Sequence, residues 1–329
     1  MVYGDPMIGQ KFLYLSRKDV TAIDLSMEVI IASVEEVFRE KGKGRVEMPP
    51  KPGIHTRKDA FIHAMPAFIP SLEAAGIKWI SGYPDNQNKG LPYITGLLIL
   101  NDPDTGIPIC LMDAIWVTAK RTGAATAVAA KQLARPDSSI VGIIACGVQG
   151  RSNLEALSTA FQLQKVKVYD FYPEIAQRFS RDLSQALHLE IEVVDTPKEC
   201  VNADLVVTSG PILKEPKPVI EAGWLPEGSF ASAVDFDSYW QGSAFLEADK
   251  VATDDLEQME YYREEGYFRQ TPRPYADLGE IMAGKKPGRQ SEEERTFCIN
   301  LGIALNDVAT AIMIYREAKR RGLGIELPF

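Results

Sequence analysis

The chain has 329 residues, 45% hydrophobic and 25% charged, with a formal net charge of -9. That length suits about two domains, and the composition is that of an ordinary soluble globular protein. The acidic balance argues against non-specific nucleic-acid binding, which draws on clustered Lys and Arg, but leaves room for a local basic pocket. No apolar run reaches the ~18 residues of a membrane span, and Met1–Gln10 lacks the basic stretch and apolar core of a secretory leader. Cys110, Cys146, Cys200 and Cys298 are scattered without paired spacing, which suits buried free thiols in a reducing cytoplasm. His55, His63 and His188 form no cluster with metal-ligand spacing, so no metal is expected.

Residues 11–15 read as a short strand. From about Ser26 to Lys41, Met27, Ile30, Ile31, Val34 and Phe38 recur at helical spacing with acids on the other face, which predicts an amphipathic helix ended by Gly42 and Gly44. Residues 43–60 are rich in Gly, Pro and Lys and read as a loop that carries Arg45. Strands are expected at 77–81, 93–101 and 107–115. The last two are joined by Asp102-Pro103-Asp104-Thr105-Gly106, turn chemistry that predicts an antiparallel hairpin. The first third is therefore α+β. Val117–Leu133 is a small-residue helix, with Lys120-Arg121-Thr122 near its start.

The stretch 139–170 carries the clearest motif. An apolar strand, Ile140 to Ala145, is followed by a tight turn at Gly147 and Gly150, a helical pattern, a second short strand and an acid, Asp170. Glycines let a backbone approach a pyrophosphate, a helix N-terminus offers free N–H groups, and an acid about 20 residues on accepts hydrogen bonds from a ribose diol. The motif is imperfect, because Ala145 stands where G-x-G-x-x-G has its first glycine. An ordinary βαβ crossover is the alternative. Further strands at 191–194, 204–209, 230–234 and 250–253 predict a doubly wound parallel sheet. Ligands of such sheets bind at the strands' carboxyl ends, which places Thr208, Ser209, Gly210 and Asp235–Asp237 beside a cofactor. Residues 259–273 read as a surface helix and loop, 276–284 as a short helix, 285–291 as a basic loop, and 295–321 as one long helix. Arg45, Lys78 and Arg121 are candidates to hold a substrate carboxylate, and Asp237 to move protons on an amine.

Several stretches together resemble the ornithine cyclodeaminase/mu-crystallin family. They are A-M-P at 64–66, G-I-K-W-I-S-G-Y-P-D-N with G-L-P at 76–92, T-A-K-R-T-G-A-A-T-A-V-A-A-K at 118–131, and G-V-Q at 147–149. A-D-L-V-V-T at 203–208, L-G-E-I-M-A-G at 278–284 and L-G-I-A-L-N-D-V-A-T-A at 301–311 complete them. The resemblance implies an α/β fold: a substrate-binding and dimerisation domain from residues 1–119 and 302–329, around a Rossmann domain at 120–301. It implies that Arg45, Lys78 and Arg121 bind the substrate carboxylate and that Asp237 is catalytic. Arg121, Thr122, Gly147, Val148, Gln149, Gly150, Asp170, Thr208 and Ser209 would face the cofactor. Asp170 would repel a 2′-phosphate, so NAD is expected over NADP. The chemistry implied is hydride transfer at the C–N bond of an α-amino or cyclic imino acid. Cyclodeaminase, amino-acid dehydrogenase, imine reductase and a non-catalytic ligand-binding protein are the alternatives, and a homodimer is expected. Two residues depart from the family pattern. His63 stands where ornithine cyclodeaminases carry a glutamate, which counts against ornithine. Asp235 replaces a usual glycine; it is either an exposed loop acid, a partner for a basic group, or a like charge that raises the pKa of Asp237.

Overall fold

The computed structural model describes residues 11–329, so Met1–Gln10 lie outside the described residues. The chain divides into two compact units. One comprises the residues up to Ser26, Gly44–Arg121 and Ile303–Phe329; the other comprises Met27–Lys43 and Thr122–Gly302. Residues 27–43, expected with the first domain, cluster with the second unit instead. The reason is local. The helix Met27–Gly42 meets the helix Leu278–Met282 so closely that a Cβ on Gly42 would lie 1.9 Å from the Gly279 carbonyl oxygen. Lys41 then ion-pairs with Asp255, at 3.1 Å, and with Asp277. These acids cap the N-termini of two helices of the same unit.

The first unit is built on a seven-stranded sheet. Its order is Ile325–Pro328, Lys11–Leu15, Pro108–Asp113, Ile94–Asn101, Ala74–Gly82, Phe61–Ile69 and Gly53–Ile54. Lys11–Leu15 runs parallel to Pro108–Asp113; the other neighbours are antiparallel. The expected hairpin forms, and its turn is held by the Asp102 carboxylate, which accepts from the Thr105 amide (2.9 Å) and hydroxyl (2.7 Å). Phe61–Ile69 is a strand that sequence reading did not recognise, although its burial alternates strictly, with Phe61, His63, Met65, Ala67 and Ile69 inward. The helix Ala304–Arg321 packs on this strand and on Ala74–Gly82, closing one face.

The second unit holds eight parallel strands in the order Ala276–Asp277, Lys250–Thr253, Thr296–Ile299, Phe230–Ala233, Leu205–Thr208, Ile140–Ile144, Lys165–Tyr169 and Ile191–Val193. The chain winds outward from Ile140–Ile144 and then reverses to Leu205–Thr208, so the topological switch point lies between these strands. The long helix expected over 295–321 is two elements. Thr296–Ile299 is a buried central strand, and Gly302, at φ 79°, turns the chain before the helix Ala304–Arg321. T-F-C-I is a short β-prone apolar run, which helical periodicity cannot separate from the helix that follows. All four cysteines are buried and unpaired. No described helix is long and apolar enough to cross a membrane.

Candidate active site

The second unit presents the glycine turn at its switch point. Ile140–Ile144 ends in Ala145, whose φ of 72° is left-handed, a conformation that costs an L-residue and suits glycine. This explains why glycine is usual there and shows that alanine accepts the same turn. The Ala145 amide donates to the Tyr169 carbonyl at 2.9 Å, and its carbonyl accepts from the Ser209 hydroxyl at 2.9 Å. Gly150 is required by close approach, because its Cβ would lie 2.5 Å from that same carbonyl oxygen. Gly147 is different: a Cβ there meets nothing within 4 Å. It is the N-cap of the helix Val148–Ala160 and offers no side-chain cap, so the first-turn N–H groups have no side-chain acceptor from it. An open glycine at an uncapped helix start, at the switch point of a parallel sheet, fits the pyrophosphate of a dinucleotide. Asp170 stands beside it, accepting from the Cys146 amide (2.8 Å) and the Tyr172 amide (3.0 Å). The acid therefore braces the turn as well as marking its rim.

Across the switch point, Thr208 is buried. Its hydroxyl donates to Asp235 at 2.8 Å and accepts from the Trp240 indole at 3.0 Å. Both roles of the hydroxyl are thus spent within the unit. Asp235 is fully buried and also accepts from the Gly210 amide at 2.9 Å, so it is not the exposed loop acid considered above. Burial pushes its pKa up to about 7 against these hydrogen bonds, with the charge of Asp237 adding to the rise. Asp237 is buried too and accepts from the Thr271 hydroxyl at 2.9 Å. Burial raises its pKa, while Thr271 and the Arg263 charge oppose this. Burial is the largest cause of the rise at both acids, and their like charges add to it at Asp235. Between the acids, Phe236 is held at φ 64° with its ring among Tyr262, Tyr267 and Phe268. A bulky residue in the left-handed region is strained, and such strain collects at functional sites.

The first unit carries a buried charge cluster. On the inner face of its sheet, Leu15, Met112, Leu98, Lys78 and Met65 form one row across five strands, and all are buried. An ammonium in the middle of an apolar row is costly unless paired. Its partner is Asp307, whose Oδ1 accepts from Lys78 Nζ at 2.7 Å and from Arg121 Nε at 2.8 Å. Burial, and then the charge of Arg121, push the Lys78 pKa down to about 7 against the pull of Asp307. The buried Lys51 adds to the depression. His63 is buried and stacked on Phe61 at 4.2 Å. Burial and the charge of Lys51, followed by His55 and Lys78, push its pKa down to about 2, so the imidazole is neutral at any ordinary pH.

Lys78 and Arg121, two of the three expected cations, are therefore brought together. Arg45 is exposed on its loop, whereas Lys51, six residues on, is buried and its charge acts on Lys78. Sequence reading missed Lys51 because a lysine between prolines looks like an ordinary loop residue. It also missed Asp307, which at the start of a helix reads as a favourable partner for the helix dipole. Thr122 is buried on the helix Ile115–Leu133.

A doubly wound parallel sheet with a dinucleotide-type turn, in a chain whose other unit buries a lysine–arginine–aspartate cluster, defines a nucleotide-binding α/β protein. The chain belongs to the ornithine cyclodeaminase/mu-crystallin family, whose model matches residues 12–322. It is 36% identical over 327 residues to an alanine dehydrogenase from Archaeoglobus fulgidus, covering 96% of this chain and 98% of that protein. The structure of Thermococcus litoralis Δ1-pyrroline-2-carboxylate reductase in complex with NADH and L-proline is similar, with a TM-score of 0.87 and 34% identity over 95% of this chain and 99% of that one. An archaeal alanine dehydrogenase dimer with bound NAD matches with a TM-score of 0.87 and 34% identity, over 97% and 99%.

Proposed function

We propose that this protein is an NAD(H)-dependent oxidoreductase acting on the C–N bond of an α-amino acid or cyclic imino acid. The observation that carries this reading is the Lys78–Arg121 pair buried beside Asp307, because burying two cations on one carboxylate weakens the fold and a bound carboxylate would offset that cost. Family membership, and relatives solved with NAD, NADH or L-proline, support the same reading. Lys78, Arg121 and Lys51 hold the substrate carboxylate, with Lys51 taking the part expected of Arg45. Arg121 and Thr122, next to each other on one helix, the turn Gly147–Gly150 and Ser209 hold the cofactor. Asp170 favours NAD, since a carboxylate there repels a 2′-phosphate. Thr208 supports the site through Asp235. When bound, NAD(H) accepts or supplies the hydride at the carbon that bears nitrogen. Asp237, with a raised pKa near a polar hydroxyl, takes or returns the proton on that nitrogen.

The neutral His63 carries no negative charge to pair with a substrate ammonium, and the charges of Lys51 and Lys78 act on it, so ornithine and other diamino acids are disfavoured. Dehydrogenase or imine-reductase chemistry on a small neutral side chain is favoured over cyclodeamination. Incubation with NAD and an amino-acid panel, reading NADH and ammonia together, tests this. NADH formation marks a dehydrogenase, ammonia without net NADH marks a cyclodeaminase, and neither signal on any substrate in either direction marks a binding protein and refutes the reading. Asp237→Asn is expected to lower kcat at least about a hundredfold, the lower range for general acid–base catalysis, with NADH binding intact; a fully active variant removes Asp237 from the mechanism. A homodimer is also proposed. Trp79 and Leu97 are register partners on the sheet face opposite Lys78, and are 50% and 44% exposed, an apolar pair suited to cover by a second copy. Sedimentation equilibrium showing only monomer at micromolar concentration would discard it. Buried free thiols suit a cytoplasmic setting, testable by fractionation of the source cells.

A further inference from the structure

Asp307 is used on one side only. Its Oδ1 accepts from Lys78 Nζ at 2.7 Å and Arg121 Nε at 2.8 Å. Its Oδ2 is buried and has no hydrogen-bond partner, in a residue with no exposed surface. On the same turn of the helix Ala304–Arg321, Asn306 is equally buried, and neither its carboxamide oxygen nor its nitrogen is paired. Native proteins pair the great majority of their buried polar atoms, so three orphans on two adjacent residues need an explanation. A purely structural counter-ion would gain by using both carboxylate oxygens on its two cations, as arginine–carboxylate forks do. Here one oxygen is kept back.

We propose that Asp307 Oδ2 accepts the N–H of the substrate's amine or imine, which makes Asp307 the residue that selects nitrogen at the carbon next to the carboxylate. This rests on the reading of Lys78 and Arg121 as the carboxylate clamp. One carbon separates nitrogen from carboxylate in an α-amino acid, so a single molecule places its carboxylate on the two cations and its nitrogen on the free oxygen of the acid that pairs with both. The charges agree. Lys51, Lys78 and Arg121 outnumber Asp307, which leaves net positive charge for the carboxylate and one free acceptor for a protonated nitrogen. A ligand with an ether oxygen in place of that nitrogen turns lone pairs toward Oδ2. It is rejected by repulsion as well as by the missing bond.

The test is calorimetric binding to the protein saturated with NADH, using two matched pairs of probes: L-alanine with propanoate, and L-proline with (S)-tetrahydrofuran-2-carboxylate. In the parent the nitrogen member of at least one pair should bind about tenfold or more tighter, the effect of a hydrogen bond to a charged group. In Asp307→Asn the preference should collapse toward one. A structural role would weaken both members together and leave their ratio unchanged, so an unchanged ratio overturns the proposal. Equal binding within both pairs by the parent also overturns it, and that comparison needs no variant, should Asp307→Asn fail to fold. If no probe of either pair binds the parent, the carboxylate clamp falls and this assignment with it. If propanoate and tetrahydrofuran-2-carboxylate bind as well as the amino acids, the clamp stands and only the role of Asp307 is lost.

Discussion

Lys78→Met isolates the cost of holding a cation in an apolar row. Lys78 has no exposed surface, and its pKa is pushed down from 10.5 to about 7. At about 1.36 kcal/mol per pKa unit, that fall corresponds to roughly 5 kcal/mol by which the protonated lysine weakens the folded state. The figure already contains the favourable pull of Asp307. Because the folded pKa is the lower one, the unfolded chain binds more protons between pH 7 and 10.5. The unfavourable contribution is therefore complete below pH 7 and fades as the pH rises toward 10.5. Methionine has a similar length and no charge, and Asp307 keeps Arg121 at 2.8 Å, so the acid is not left bare. We expect the variant to be more stable than the parent by several kcal/mol at pH 6, with the difference closing by about pH 10. Urea denaturation followed by circular dichroism from pH 6 to 10 measures this, and the variant-minus-parent difference cancels the other titrating groups. The variant should bind NADH and lose the amino-acid ligand. A variant less stable than the parent at pH 6, or a difference that does not change with pH, would show that Lys78 is held by net favourable pairing and would refute the reasoning.

Ala145→Gly removes a left-handed alanine, worth about 1–2 kcal/mol, against the roughly 0.5–1 kcal/mol that glycine loses in chain entropy. A gain of about 0.5–1 kcal/mol is expected by thermal denaturation, and a clear loss would mean that the methyl group packs usefully. Lys51→Ala should raise KM for the amino or imino acid about tenfold with a smaller effect on kcat, while Arg45→Ala stays within about twofold, as for an exposed side chain; steady-state kinetics with the reverse ranking would restore Arg45 to the clamp. Asp235 has a folded pKa of about 7, above the 3.8 of a free carboxyl, so its contribution makes stability fall as pH rises from about 4 to 7. Asp235→Asn should flatten that fall in denaturation curves, and an unchanged slope would show that Asp235 titrates normally.

The parts legible in the sequence were those set by local chemistry. The strand, glycine turn and helix from Ile140 to Ala160 follow from a β-branched run, two glycines and helical spacing, and the structure places them as read. The hairpin at Asp102–Gly106 follows from turn residues that act on their own neighbours. Where two elements run together, periodicity fails: Thr296–Ile299 was absorbed into a helix because four apolar residues fit either period. Phe61–Ile69 was passed over because a histidine and a proline interrupt the apolar pattern of an otherwise regular strand.

Long-range pairing was out of reach. Lys78 and Asp307 are 229 positions apart and Arg121 and Asp307 186, and no spacing rule links a mid-strand lysine, a helical arginine and an acid on the last long helix. The sequence by itself determined the parallel dinucleotide-type sheet, the position of its turn, and the residue types available to an anion site. Only the tertiary structure decided which cations are buried, that Lys51 is one of them and acts on Lys78, that His63 is held well below its usual pKa, and that Asp235 is an interior acid. Burial depends on what the rest of the chain packs over a residue, and burial sets both the cost of a charge and the pKa that decides whether it is carried.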